Sequence, residues 1–192
     1  MTLAAAILGA AAALVAAAAL PVSAARTEPK VSLDVRGAAG AYHVEGAFSV
    51  AAPADVAWGV VTDYNGISRF VSSVVESRVL SRRPGVTVLE QVGSGRFFFV
   101  SRKVALTLAV TETPRTRVDF RELEGGFAQY EGSWQILPSQ DGCLVGYELT
   151  AKPGPGLAPR FAARAALRRG AEELLDEVRR EILRRATGGA AR

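Results

Sequence analysis

The chain has 192 residues, of which 49% are hydrophobic and 22% are charged. These proportions are ordinary for a globular protein and exclude a disordered or fibrous chain. The formal net charge of +4 is compatible with contact to an anionic surface, but arginine-rich and alanine-rich usage gives the same balance without any such partner.

The N-terminal segment is predicted to be a secretory signal peptide covering residues 1–24. Residues 2–20 carry no charge and are mostly alanine, and Val22-Ser23-Ala24 places small residues where signal peptidase cleaves. We therefore expect an exported protein, most simply a periplasmic one. Retention of the segment as an anchor stays open, because the apolar run is nearly long enough to span a bilayer.

The next residues alternate and then change period. We expect an N-terminal extension over residues 25–41 that contains a short strand, a ligand-binding domain over residues 42–186 and a tail over residues 187–192. Tyr42 to Val50 alternates as a strand does. A helix is predicted from Pro53 onward, because proline suits a first turn and Asp55 places an anion near the N-terminus.

The remainder predicts a run of strands followed by one long helix. Short turns rich in Gly, Pro and Asp separate the strands, which favours an antiparallel meander. The predicted strands are Val74–Arg82, Val86–Val92, Phe97–Glu112, Arg117–Leu123, Ala128–Leu137 and Leu144–Ala151. The helix is predicted over Leu157–Arg185, with an apolar stripe of Phe161, Ala165, Ala171, Leu174, Leu175, Val178 and Ile182. This order of elements predicts an α+β fold.

Several short motifs, taken in order, resemble a known family. They are Phe48–Trp58 (FSVAAPADVAW), Thr62–Tyr64, Tyr130–Trp134 and Tyr147–Leu149. Together they resemble the START-like (SRPBCC) superfamily, in particular its polyketide cyclase/dehydrase and coenzyme-Q-binding subgroup. The resemblance implies a helix-grip fold, in which a curved antiparallel sheet wraps around a long C-terminal helix with a cavity between them. Members bind lipids, quinones, sterols or polyketides; some are cyclases, and many have no catalytic activity.

Aromatic and aliphatic residues of matching parity are the candidates for the cavity lining. Tyr130 and Trp134 share one face of a strand, and Tyr147 lies on one face of the next. With the resemblance, this predicts a void of about 300–1,000 Å³. A solid core is the alternative. The predicted lining residues are Val88, Glu90, Phe98, Leu106, Leu108, Phe120, Tyr130, Trp134, Tyr147 and Phe161.

The sequence offers little for catalysis. A single histidine, His43, and a single cysteine, Cys143, supply neither a metal site nor a nucleophile–base pair, so we expect no metal, no cofactor and no catalytic residue of those kinds. Glu90 and Glu122 share parity with apolar neighbours. Each is either a polar anchor or general acid inside a cavity, or a strand-end charge that reaches water.

The expected function is therefore non-catalytic binding or transport of a hydrophobic small molecule, lipid-like or quinone-like. A cyclase/dehydratase-type enzyme and a protein-interaction module are the alternatives. No nucleic-acid partner is expected. Arg160, Arg164 and Arg168 share one side of the last helix, which predicts either contact with an anionic membrane or a solvated helix face.

Overall fold

The computed structural model describes residues 31–38, 40–94, 103–154 and 160–189. Within these residues, eight antiparallel strands form a single sheet, accompanied by two α-helices and a 3₁₀ turn at Ile67–Arg69. The strands are β1 (Ser32–Ala38), β2 (Ala41–Val50), β3 (Val74–Arg83), β4 (Val86–Gly93), β5 (Val104–Thr113), β6 (Arg117–Glu124), β7 (Phe127–Ser139) and β8 (Gly142–Pro153). The helices are α1 (Ala54–Val61) and α2 (Arg160–Gly189).

The strand order across the sheet is β1-β2-β8-β7-β6-β5-β4-β3. Strands β3 to β8 form the predicted meander, and the last strand, β8, pairs with β7 on one side and with β2 on the other, which joins β1 and β2 to the sheet. Helix α2 then packs against β1, β2 and α1. The α+β class and the helix-grip fold predicted from the sequence are confirmed.

Strand β1 comes from the predicted N-terminal extension but belongs to the sheet. Its seven residues pair with β2 in regular register, and Val35 is part of the hydrophobic core. The Arg164 Nε donates a hydrogen bond of 2.9 Å to the Val35 carbonyl oxygen, which ties the start of α2 to this edge strand. At the other end, α2 continues to Gly189 and so includes the first residues of the predicted tail.

The buried stripe of α2 differs in one place from the predicted one. Ala165 is exposed, and Leu167, which is not part of the predicted stripe, is buried instead. Leu167 fits the helical period better because it lies four residues before Ala171 and seven before Leu174. The remaining predicted positions from Ala171 to Ile182 are buried. The side chain of Phe161 lies outside the described residues.

Neither described helix is long and apolar enough to cross a membrane. The predicted signal peptide lies outside the described residues.

Candidate ligand-binding site

A mostly apolar cavity lies between the inner face of the sheet, the α1 region and α2. Among the predicted lining residues, the structure brings Leu108, Phe120, Tyr130, Trp134 and Tyr147 together around it. The other described residues at its wall include Val61, Tyr64, Leu89, Gln91, Val110 and Leu174. The cavity therefore has contributions from the sheet and from both helical regions.

Strand register explains why the aromatic side chains meet. Trp134 of β7 pairs directly with Tyr147 of β8, and their ring centroids are 4.6 Å apart. Residues paired across two antiparallel strands project from the same face of the sheet. On the next strand, Phe120 of β6 pairs with Gly132 of β7.

Gly132 makes room for the Phe120 ring. A Cβ at this position would overlap Phe120 Cζ and the Glu148 carbonyl oxygen. Phe120 therefore lies across β7, with ring centroids 6.0 Å from Tyr130 and 6.4 Å from Tyr147. The result is an aromatic wall formed by Phe120, Tyr130, Trp134 and Tyr147.

The cavity measures about 90 Å³, well below the predicted ligand-sized void. The rings of the aromatic wall pack against one another, with centroids 4.6 Å apart for Trp134 and Tyr147 and 6.0 Å apart for Phe120 and Tyr130. Among the described residues, this small void lies between the sheet and Leu174 of α2.

The polar groups on the α1 side of the cavity have partners. The Tyr64 hydroxyl donates a hydrogen bond of 2.7 Å to Glu112 Oε1. Burial, together with the hydrogen bond and charge of Glu112, raises the pKa of Tyr64 well above its usual value. Gln91 Nε2 donates to Ser77 Oγ at 3.3 Å. This side of the cavity thus has no unsatisfied group among these residues.

Two predicted lining residues lie on the other face of the sheet. Leu89 and Gln91 of β4 reach the cavity, so Val88 and Glu90 point away from it. Glu90 Oε2 accepts a hydrogen bond of 2.8 Å from Arg78, on the outer face. The parity of β4 misleads because both of its faces carry apolar residues, and Val88 sits opposite Ala109 outside the cavity. The polar Gln91 at an inner position hides the correct parity.

Leu106 lies on the inner face but within the core, 1% exposed, rather than at the cavity wall. Phe98 and the Phe161 side chain lie outside the described residues.

Glu122, the other candidate carboxylate, is on the inner face of β6, in line with Val118 and Phe120. Its carboxyl is half-buried, and burial raises its pKa, partly offset by a hydrogen bond from the Phe127 backbone N–H.

The remaining candidates for chemistry are structural or exposed. Cys143 is buried and burial raises the pKa of its thiol. His43 faces outward and contacts Thr150 and Glu45. Within residues 31–38, 40–94, 103–154 and 160–189, no three His, Cys, Asp or Glu side chains are grouped as metal ligands.

Two of the three arginines predicted to face a membrane interact with other residues of the protein. Arg164 is bound to β1, and Arg168 pairs with Glu172 at 3.3 Å. The side chain of Arg160 is outside the described part of the chain. Membrane contact through this side of α2 stays a prediction.

The family model for polyketide cyclase / dehydrase and lipid transport matches residues 50–179. No curated protein sequence matches the chain.

Solved structures of the same fold include proteins with different functions. One is the Zhui aromatase/cyclase from a Streptomyces species, with 21% identity, a TM-score of 0.62, and coverage of 76% of this chain and 95% of that one. Another is a STAR-related lipid transfer protein from Xanthomonas axonopodis, with 20% identity, a TM-score of 0.64, and coverage of 80% and 93%. A START superfamily protein from Mycobacterium smegmatis has 17% identity, a TM-score of 0.59, and coverage of 76% and 97%. At these identities the likeness shows the fold alone.

Proposed function

The chain belongs to the polyketide cyclase / dehydrase and lipid transport family of the START-like superfamily, and we propose that it binds or carries a hydrophobic small molecule without transforming it. The observation that carries the proposal is the apolar cavity between the aromatic wall and Leu174 of α2. Ligand sites are mostly apolar clefts with few polar groups, which matches this inventory. A lipid-like or quinone-like compound fits that chemistry.

Binding requires the cavity to widen, since about 90 Å³ is too small for such a ligand. The rings of the aromatic wall would have to separate, or the first turns of α2 would have to move. The Pro153-Gly154-Pro155-Gly156 run before α2 favours the second route, because neither residue type continues a regular element. The far end of α2 is held by Arg185, which forms an ion pair with Asp63 just after α1 and donates a hydrogen bond to the Gly59 carbonyl oxygen of α1.

A soluble carrier of this kind solves a physical problem. Each buried methylene contributes about 0.8 kcal/mol, so a long-chain compound hardly enters water unaided. A protein interior that opens and recloses around the chain replaces that exposure to water. The proposed carrier thus needs an apolar interior and a route to it, and no reactive group.

Emission from Trp134 tests the proposal directly. Titration with a short-chain quinone or with 1-decanol is expected to change Trp134 emission saturably, because the indole lines the cavity. Trp134→Phe should remove the signal while keeping the fold, since most of the apolar surface remains. Trp58→Phe is the matched control, because Trp58 is the other tryptophan and lies in α1, so that variant should keep the full signal. Absence of a saturable change with every apolar compound tried would contradict the proposal.

The cyclase-type alternative rests on Glu122, a carboxyl beside the cavity whose burial raises its pKa. In that case the compound bound in the titration should be converted, and mass spectrometry of the recovered ligand should show a loss of water. Recovery of the ligand unchanged supports the carrier.

Action outside the cytoplasm is a further part of the proposal, motivated by the apolar segment that ends at Val22-Ser23-Ala24. Protein isolated from its own host is expected to begin near Ala25. N-terminal sequencing checks this, and an intact Met1 on protein from the cytoplasm would show the export proposal to be wrong.

A further inference from the structure

Glu122 occupies a position that gives it access to the cavity wall. It follows the cavity-lining Phe120 by two residues on β6 and pairs directly with the cavity-lining Leu108 of β5. Its charge also contributes to raising the pKa of Tyr130, another lining residue, after the larger effect of burial. Glu122 does not itself line the cavity in this conformation, but it is a direct neighbour of lining residues on β5 and β6.

The β6–β7 turn is built around this carboxyl. The Phe127 backbone N–H donates a hydrogen bond of 3.3 Å to Glu122 Oε1. A Cβ at Gly125 would overlap both Glu122 Oε1 and Leu106 Cδ2, so the turn leaves space for the side chain where any other residue would fill it. A register shift in the β5–β6 pairing directly follows Glu122, and such bulges commonly redirect side chains near functional sites.

The second carboxyl oxygen is unused. Glu122 Oε2 is inaccessible to solvent and has no hydrogen-bond partner among the described residues. Other carboxylates of the molecule do accept hydrogen bonds from side chains. Glu112 accepts one from Tyr64, Glu90 accepts one from Arg78, and Glu181 accepts them from two arginines. Buried polar atoms are almost always hydrogen-bonded, so an unpaired carboxyl oxygen beside a cavity calls for an explanation.

We propose that Glu122 Oε2 is the polar contact of the bound molecule and that the ligand carries a hydroxyl group, as an alcohol or phenol, at the end that meets it. This rests on the proposed function. A hydroxyl both donates and accepts, so it pairs with Glu122 whether the carboxyl is ionised or protonated. A ligand carboxylate would meet like charge, and a pure hydrocarbon would leave the oxygen unpaired. Since Oε2 is occluded in this conformation, the head group reaches it once the cavity has widened.

The test compares ligands of one chain length in variants of one residue. Binding of 1-hexanol and 1-chlorohexane is followed through Trp134 emission at a fixed neutral pH. Glu122→Leu is expected to weaken 1-hexanol binding about tenfold, which corresponds to about 1.4 kcal/mol, and to leave 1-chlorohexane binding equal or tighter. Glu122→Gln should stay within about threefold of the wild type for 1-hexanol, because its amide keeps both the acceptor for Phe127 and a group that pairs with a hydroxyl.

Glu124→Leu is the matched control, since Glu124 is an exposed glutamate on the same strand, and it should leave both affinities unchanged. Equal losses for the two ligands in Glu122→Leu, or no loss for either, would overturn the assignment of Glu122. Tighter binding of hexylamine or hexanoate than of 1-hexanol by the wild type would overturn the hydroxyl.

Three outcomes keep this inference distinct from the proposed function. If no hexyl compound binds the wild type while a quinone saturates Trp134 emission, the hydroxyl assignment fails and the carrier proposal stands. If nothing binds, the carrier proposal itself fails. If Glu122→Leu does not fold, the comparison of Glu122→Gln with the amine and carboxylate ligands decides, since a shift of preference toward hexanoate in that variant would identify the site, and an unchanged preference would reject it.

Discussion

Replacing Leu175 by alanine is expected to lower the free energy of unfolding by about 4 kcal/mol. Leu175 is fully buried in the core, and its Cδ1 lies so close to Gly46 of β2 that a Cβ there would overlap it. This side chain therefore fills the contact between α2 and the sheet, where the surrounding backbone cannot collapse into the space. Urea unfolding of the two proteins measures the difference.

Leu174→Ala is the matched control on the next residue. Leu174 borders the existing cavity, so it has fewer packed neighbours to lose, and we expect a cost of about 2 kcal/mol. The same variant enlarges the cavity and should tighten binding of a bulky quinone. Equal costs for the two leucines would mean that Leu174 is packed as tightly as Leu175 and that no void lies beside it.

The elements of this fold are predictable because their periods are clear in the sequence. Alternation in β7 and β8 placed Tyr130, Trp134 and Tyr147 on matching faces, and the structure brings all three together at the cavity. The stripe of α2 was predicted from Ala171 onward for the same reason. Local periodicity decides which side chains share a face, and the simple meander decides which faces meet.

The parity of β4 could not be predicted from its residues. Val88 and Glu90 were expected inside, but Leu89 and Gln91 reach the cavity instead. Which face of β4 is inner depends on its register with β5, where Leu89 pairs with Leu108, and that is a long-range fact. In β6, by contrast, the parity shared with Val118 and Phe120 gives the correct face for Glu122, although the residues alone leave open whether its carboxyl stays inside or reaches water.

The volume of the cavity is also beyond the sequence. It depends on how closely side chains from different strands approach one another, as where Gly132 leaves room for the Phe120 ring. Nothing in the residue types distinguishes packed rings from separated ones. The cavity in this conformation therefore measures about 90 Å³, below the ligand-sized volume expected from the sequence.

Replacing Glu181 by glutamine is expected to destabilise the protein at neutral pH and to remove part of its acid sensitivity. Glu181 is buried in α2, and its two oxygens accept hydrogen bonds of 2.6 and 2.7 Å from Arg184 and of 2.7 Å from Arg185. Arg185 also donates a hydrogen bond of 2.8 Å to Asp63 Oδ2 and one of 3.2 Å to the Gly59 carbonyl oxygen. Glu181 therefore positions the arginine that joins the end of α2 to α1.

The sign of the pH effect follows from the pKa of Glu181. The two hydrogen bonds from Arg184, then the one from Arg185 and the charges of both arginines, lower it from 4.5 to about 2 against the opposing effect of burial. A carboxyl whose pKa is lower in the folded state stabilises the fold above the unfolded value and loses that contribution as the pH falls through the folded one. The contribution is thus complete above about pH 5 and disappears toward pH 2. We expect Glu181 to contribute about 2 kcal/mol to the free energy of unfolding. This is less than the pKa difference alone implies, because Arg184 is largely exposed and screened by solvent.

The free energy of unfolding, measured from pH 7 to pH 2, should decline less steeply in Glu181→Gln than in the wild type. Asp176→Asn, at an exposed position of the same helix, should shift stability by no more than about 0.5 kcal/mol and keep the wild-type pH profile. Parallel profiles for the wild type and Glu181→Gln would mean that this network does not hold α2 against α1, and that the far end of the helix is as free to move as the end next to the Pro/Gly run.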